Sequence, residues 1–118
     1  MTKERRSHPR VEVSHPVLYF SSIHPRPRLA LTVDLSLGGT QIETLQGLAE
    51  NEGIEVAIHT DLLVIKCKGK VIHVLEPEKG RVRAGIQFDA ISEYDKLYLM
   101  HHLLHLMEKR ALQPSLSL

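Results

Sequence analysis

The sequence predicts a mainly β protein: a six- or seven-stranded antiparallel β-barrel followed by a C-terminal α-helix. Three observations lead there. Short apolar segments recur between residues 11 and 90, most alternating with polar residues at the period of a half-buried strand. Clusters of Pro, Gly, Asp and Ser separate them as turns. From Ser92 to about Leu112 there is no proline, and apolar residues fall at helical spacing. At 118 residues and 42% hydrophobic, the chain can bury one core and forms one domain.

Residues 1–10 read as a polar, mobile arm, with Pro9 holding His8 out of the helical region. A first strand is expected from Val11 to about Phe20, bent at Pro16. Pro25 and Pro27 mark the loop that follows. Leu29–Val33 is the second strand, Asp34–Gly39 a tight turn, and Thr40–Thr44 the return strand. Residues 45–53 form a polar connection with room for one helical turn, and Ile54–Ile58 alternates again. Leu62–Cys67 and Lys70–Leu75 read as two strands parted around Gly69. After the turn at Pro77–Gly80, Arg81–Phe88 sets Val82, Ala84, Ile86 and Phe88 on one face. The barrel thus spans about 11–90 and the helix about 92–112. Ser92 is its N-cap, and Leu97, Met100, Leu104, Met107 and Ala111 are its apolar stripe. Residues 113–118 are a frayed tail.

Composition narrows the function. Fifteen Lys and Arg against 14 Asp and Glu leave a formal net charge of +1, which disfavours a general DNA or RNA binder. The aromatic content of 4%, without Trp, leaves few stacking platforms for a single strand. Basic charge is nevertheless concentrated early, at Lys3, Arg5, Arg6 and Arg10. That asymmetry suits one small anionic ligand. The charged N-terminus lacks a signal-peptide core, and no apolar run spans a membrane. Cys67 is alone in an apolar segment, so no internal disulfide can form. A cytoplasmic protein is expected.

Two stretches carry chemistry. Arg6 and Arg10 lie four residues apart, and Arg5 precedes them. Guanidinium forks match phosphate oxygens and the O6/N7 edge of guanine. Downstream, Asp34, Ser36, Gly38 and Gly39 combine a carboxylate, a hydroxyl and a glycine pair. A carboxylate accepts from the N1–H and N2–H₂ edge of guanine, and glycine lets backbone approach a ligand closely. On extended backbone Asp34 and Ser36 would share one face, with Leu35 and Leu37 turned to the core. Together the stretches have what an anionic guanine nucleotide needs.

The pair resembles the RxxxR and (D/N)xSxxG motifs of PilZ domains, bacterial receptors for cyclic dimeric GMP. Arg6 and Arg10 match the first motif; Asp34, Ser36 and Gly39 match the second. The strand start at Gly69–Val71 and the segment Gly85–Phe88 extend the likeness weakly. The resemblance implies a cyclic dimeric GMP receptor with no cofactor, contacting ligand through Arg5, Arg6, Arg10, Asp34, Ser36, Gly38 and Gly39. It assigns Arg5 to holding ligand as a stacked pair of molecules. It further implies that ligand orders the arm and that a separate effector protein reads the result. The chain itself is expected as a monomer or homodimer.

Other readings fare worse. Some PilZ-like domains lack ligand and act only through protein contacts, but here every motif position is present. His101 and His105 have the spacing of helical zinc ligands, yet no Cys or acidic residue completes a set, so no metal is expected. Ser36 has no assignable base and no nucleotide-hydrolysis fingerprint occurs, so no enzymatic activity is expected.

Overall fold

Alternating core positions and tight turns produce seven strands and one helix. The computed structural model describes residues 8–24 and 26–112. In chain order these hold β1 (Val11–Glu12), β2 (Pro16–Ser21), β3 (Arg28–Leu35), β4 (Gly39–Thr44), β5 (Gly53–His59), β6 (Val64–Val74), β7 (Val82–Ile91) and α1 (Glu93–Leu112). All strand pairs are antiparallel. The order β3-β2-β5-β6-β7-β4 closes on itself through the β3–β4 pair, making a six-stranded barrel. β1 is the seventh strand, laid along the far end of β3.

The expected first strand is therefore two. Both halves pair with β3, and Thr32 bridges the break between them. Its backbone N–H donates to His15 O at 2.9 Å, and its Oγ1 accepts from His15 N at 2.8 Å. The Thr32 hydroxyl in turn donates to Val13 O. Pro16 has no N–H to continue a ladder, so the break falls just before it. Conversely, the two strands expected around Gly69 are one, β6. A side chain at Gly69 would begin 2.0 Å from Gln87 O, so this glycine serves close strand approach instead of a turn. The 45–53 connection contains a turn at Glu50–Asn51 and no helix. The 77–80 turn matches expectation: Lys79 and Gly80 both have positive φ, at 56° and 75°, as a tight hairpin turn requires.

Val17, Tyr19, Leu35, Ile42, Ile58, Ile65, Val71, Ala84 and Ile86 fill the barrel interior. Leu99 and Leu103 of α1 join that cluster, with Leu106 and Met107 beside them. The helix thus packs on its own barrel. Its buried stripe is rotated from the expected one: Leu97, Met100 and Leu104 are exposed. The helix is apolar over much of its circumference, so spacing fits two stripes offset by one residue, about 100°. Fully burying one such leucine contributes about 1.5–3 kcal/mol.

Both helix ends are anchored. Ser92 Oγ accepts from Asp95 N at 3.0 Å and its hydroxyl donates to Asp95 Oδ2 at 2.7 Å, which is the expected cap. Arg110, in the last turn, donates to the Glu12 carbonyl of β1. Between them, His102 Nε2 meets His15 Nε2 at 2.7 Å. Burial pushes both imidazoles below the ordinary histidine range, the neighbouring His15 and His105 lower His102 further, and Asp61 opposes the shift in both. Burial, with Asp95 nearby, pushes the Cys67 thiol up to about 12. No described helix is long and apolar enough to cross a membrane.

Candidate functional site

The site is built where β1, the end of β3 and the β3–β4 turn meet. A regular strand carrying buried Thr32 inward would turn residue 34 inward as well. The register instead shifts between Thr32 and Asp34, making Val33 an extra residue. That bulge re-aims Asp34 to the outer surface and leaves Leu35 fully buried.

Outside, Asp34 meets the arginine motif. Arg10 Nη1 donates to Asp34 Oδ1 at 2.6 Å, and Gln41 N donates to the same oxygen at 3.3 Å. Thr40 Oγ1 holds the Asp34 carbonyl at 2.6 Å. Both charged side chains are mostly shielded, with 23% and 15% of their surfaces exposed. Arg10 Nε is buried and has no hydrogen-bond partner among the described residues. An unsatisfied buried donor costs about 1–3 kcal/mol, so this N–H favours an incoming acceptor.

The turn is held by Ser36. Its Oγ accepts from Gly38 N and from Gly39 N, each at 3.2 Å, and its hydroxyl faces Gly39 O at 3.3 Å. Ser36 is buried. The strand ends at Leu35, so the alternation that would have set Ser36 beside Asp34 does not reach it. Gly38 O accepts from Phe88 N at 2.9 Å, tying the turn to β7. Gly39 is pressed still closer: a side chain there would begin 2.2 Å from Ile86 O.

The described end of the arm lies on this turn. A side chain at Gly38 would begin 3.1 Å from His8 Cδ2, so the imidazole covers the glycine. Val11 pairs with Leu35 and Glu12 with Asp34, fixing the arm's exit. The structure thus gathers Arg10, Asp34, Ser36, Gly38 and Gly39 in one place. Arg5 and Arg6 lie outside the described residues, as do 113–118. Sequence reasoning missed Gln41 and Thr40 as supports of Asp34. Only their place on the return strand hints at it.

A groove of about 590 Å³ lies elsewhere, lined by Leu18, Phe20, Ala57, Lys66 and Ser92 among others. Its walls are mostly apolar, with Lys66 and Lys68 at its edge, whereas the Arg10–Asp34 surface carries a guanidinium fork, which matches phosphate oxygens. Among the described residues no three His, Cys, Asp or Glu side chains are gathered to hold a metal.

The sequence matches the PilZ domain family over residues 4–108. No curated protein matches the chain by sequence. Among solved structures, the chain is similar to the PilZ domain with c-di-GMP of YcgR from Escherichia coli. The TM-score is 0.75 at 15% identity, covering 91% of this chain and 95% of that one. It is also similar to the inhibitor of motility MotI/DgrA of Bacillus subtilis, with TM-score 0.74 and 16% identity, covering 91% of this chain and 53% of that one. The K. pneumonia MrkH–c-di-GMP complex gives TM-score 0.72 and 16% identity, covering 92% and 55%. The chain therefore spans about half the length of MotI and MrkH. At these identities the likeness is one of fold.

Proposed function

Because the chain belongs to the PilZ domain family, we propose that it is a receptor for cyclic dimeric GMP that passes the signal to a separate effector protein. Arg6 and Arg10 take phosphate oxygens or guanine edges, Arg5 supports a stacked second ligand, and Asp34 accepts from a guanine Watson–Crick edge. Ser36, Gly38 and Gly39 shape the backbone against which the ligand lies. The observation that carries the reading is the meeting of the two motifs: Arg10 and Asp34 are ion-paired at 2.6 Å across 24 residues of sequence. YcgR and MrkH, whose solved complexes contain c-di-GMP, share the fold and lend support.

Signalling works by ordering. Ligand clamps the arm of residues 1–10 against the Asp34–Gly39 turn and thereby changes a surface that a partner reads. A partner-facing surface is available on β2 and β3. Phe20, Leu29 and Leu31 are 44%, 72% and 46% exposed at positions that normally carry polar residues, and Leu18 pairs directly with Leu29.

Calorimetric titration with cyclic dimeric GMP tests the reading through affinity and molar ratio. Saturable binding is expected. A folded protein that produces no heat at high concentration would instead be an interaction module without ligand.

A further inference from the structure

Helix α1 carries more apolar surface than its own barrel covers. Leu99 and Leu103 are buried against the barrel, with Leu106 packed beside them. A second row, Leu97, Met100 and Leu104, lies on the solvent side, 45%, 39% and 53% exposed. Half-buried Met107 and exposed Ala111 continue it. Successive members are three, four, three and four residues apart, the spacing of a coiled-coil seam. At 100° per residue the row is centred roughly 110° around the helix from Leu99, Leu103 and Leu106, so it is free of the barrel contact.

The charges at the helix ends choose what fits this seam. Glu93 and Asp95 lie in the first turn, Lys109 and Arg110 in the last. Two copies of α1 laid antiparallel bring the acidic turn of each level with the basic turn of the other, and oppose their dipoles favourably. Laid parallel, they would set like charges and like dipole ends together. The seam also matches itself when reversed. With Met100 of one helix level with Leu104 of the second copy, Leu97 falls level with Met107, and Glu93 with Ala111 beside Arg110. The two 20-residue helices then overlap along their whole length, roughly 30 Å.

We infer that this face of α1 binds a second copy of the chain, joining two barrels through an antiparallel pair of helices. Between isolated helices so short a seam would be marginal, because each must fold as it pairs. Here Leu99, Leu103 and the Ser92 cap already hold α1 on its barrel, so pairing orders little that is not ordered already. The apolar patch on β2 and β3 stays free for a different partner. The inference stands independently of the ligand.

The test is sedimentation equilibrium of the whole chain over a range of concentrations. The unaltered protein should pass from monomer to dimer. Leu104→Glu should raise the dissociation constant at least about 100-fold, since each dimer loses two buried leucines. Leu104 lies outside the core, so the circular dichroism of this variant should match that of the unaltered protein when dilute. Leu29→Glu, which charges the sheet patch instead, should dimerise as the unaltered protein does. Oxidation of Leu97→Cys reads the orientation. In the antiparallel pair the two residue-97 positions lie roughly 15 Å apart along the axis, beyond the reach of a disulfide, so no crosslink is expected. Protein that stays monomeric up to about 1 mM overturns the proposal. So does a dimer that Leu29→Glu breaks and Leu104→Glu leaves intact. Rapid crosslinking of Leu97→Cys overturns the antiparallel arrangement.

Discussion

Arg10 and Asp34, one from each sequence motif, form a 2.6 Å ion pair on the outer face of the barrel. Under the proposed receptor reading each holds the other in place for a ligand, and Arg10 Nε, buried and without a partner among the described residues, adds a further donor. Arg10→Ala should weaken cyclic dimeric GMP binding about 10- to 100-fold, the size of one charge-assisted hydrogen bond. Asp34→Ala should weaken it similarly, and since either substitution leaves the other charge part-buried and uncompensated, the urea midpoint should fall in both variants. Arg10→Lys should rescue poorly, since an ammonium lacks the planar fork. Full affinity in Arg10→Ala would remove the arginine motif from the site.

Gly39 is tested by stability as well as binding. A methyl group there meets the Ile86 carbonyl oxygen at 2.2 Å, and neither strand can yield without disturbing the β4–β7 ladder. Gly39→Ala should cost about 1–3 kcal/mol in chemical denaturation, as overpacking does. Gly47→Ala is the control. Nothing lies within 4 Å of its added methyl group, so its midpoint should stay put or rise slightly. Equal midpoints for the two variants would mean that β4 and β7 approach less closely than described.

The barrel-plus-helix architecture and the motif turn were legible because their signals are local. Alternation marks strands, and Asp34, Ser36, Gly38 and Gly39 mark a turn within six residues. The bulges at Val33 and Ile72 were not legible. An extra residue changes no composition and simply reverses the phase of alternation. Gly69 misled for a related reason: contact with Gln87 O demands a glycine as strictly as a turn does. The helix stripe was off by one residue because Leu99 and Leu103 compete with Leu97, Met100 and Leu104 for the same periodicity. Only the barrel's shape decides between them.

Cys67 should be chemically silent in the folded protein. Its thiol is pushed up to about 12 by burial and by Asp95, so almost none is thiolate at neutral pH. Labelling with a disulfide reagent near pH 8 should be at least about 100-fold slower in native protein than in urea. Rapid native labelling would show that β6 opens readily.

Acid should loosen the helix from the barrel. His15 and His102 join the β1–β2 junction to α1 through their Nε2 atoms at 2.7 Å, and burial lowers both folded pKa values. The unfolded chain therefore binds protons at higher pH than the folded one. Their contribution to stability is fully present above the unfolded histidine value, about 6.5, and is lost as pH falls below it. One proton on the pair still permits an N–H to N bond, whereas two protons force like charges together. Asp61 softens that repulsion, and His105 adds to it at His102. The melting temperature should accordingly drop between about pH 7 and pH 5. His102→Gln, which cannot titrate, should show a shallower decline over the same range. Parallel slopes in the two proteins would exclude the imidazole pair as the origin of the acid sensitivity.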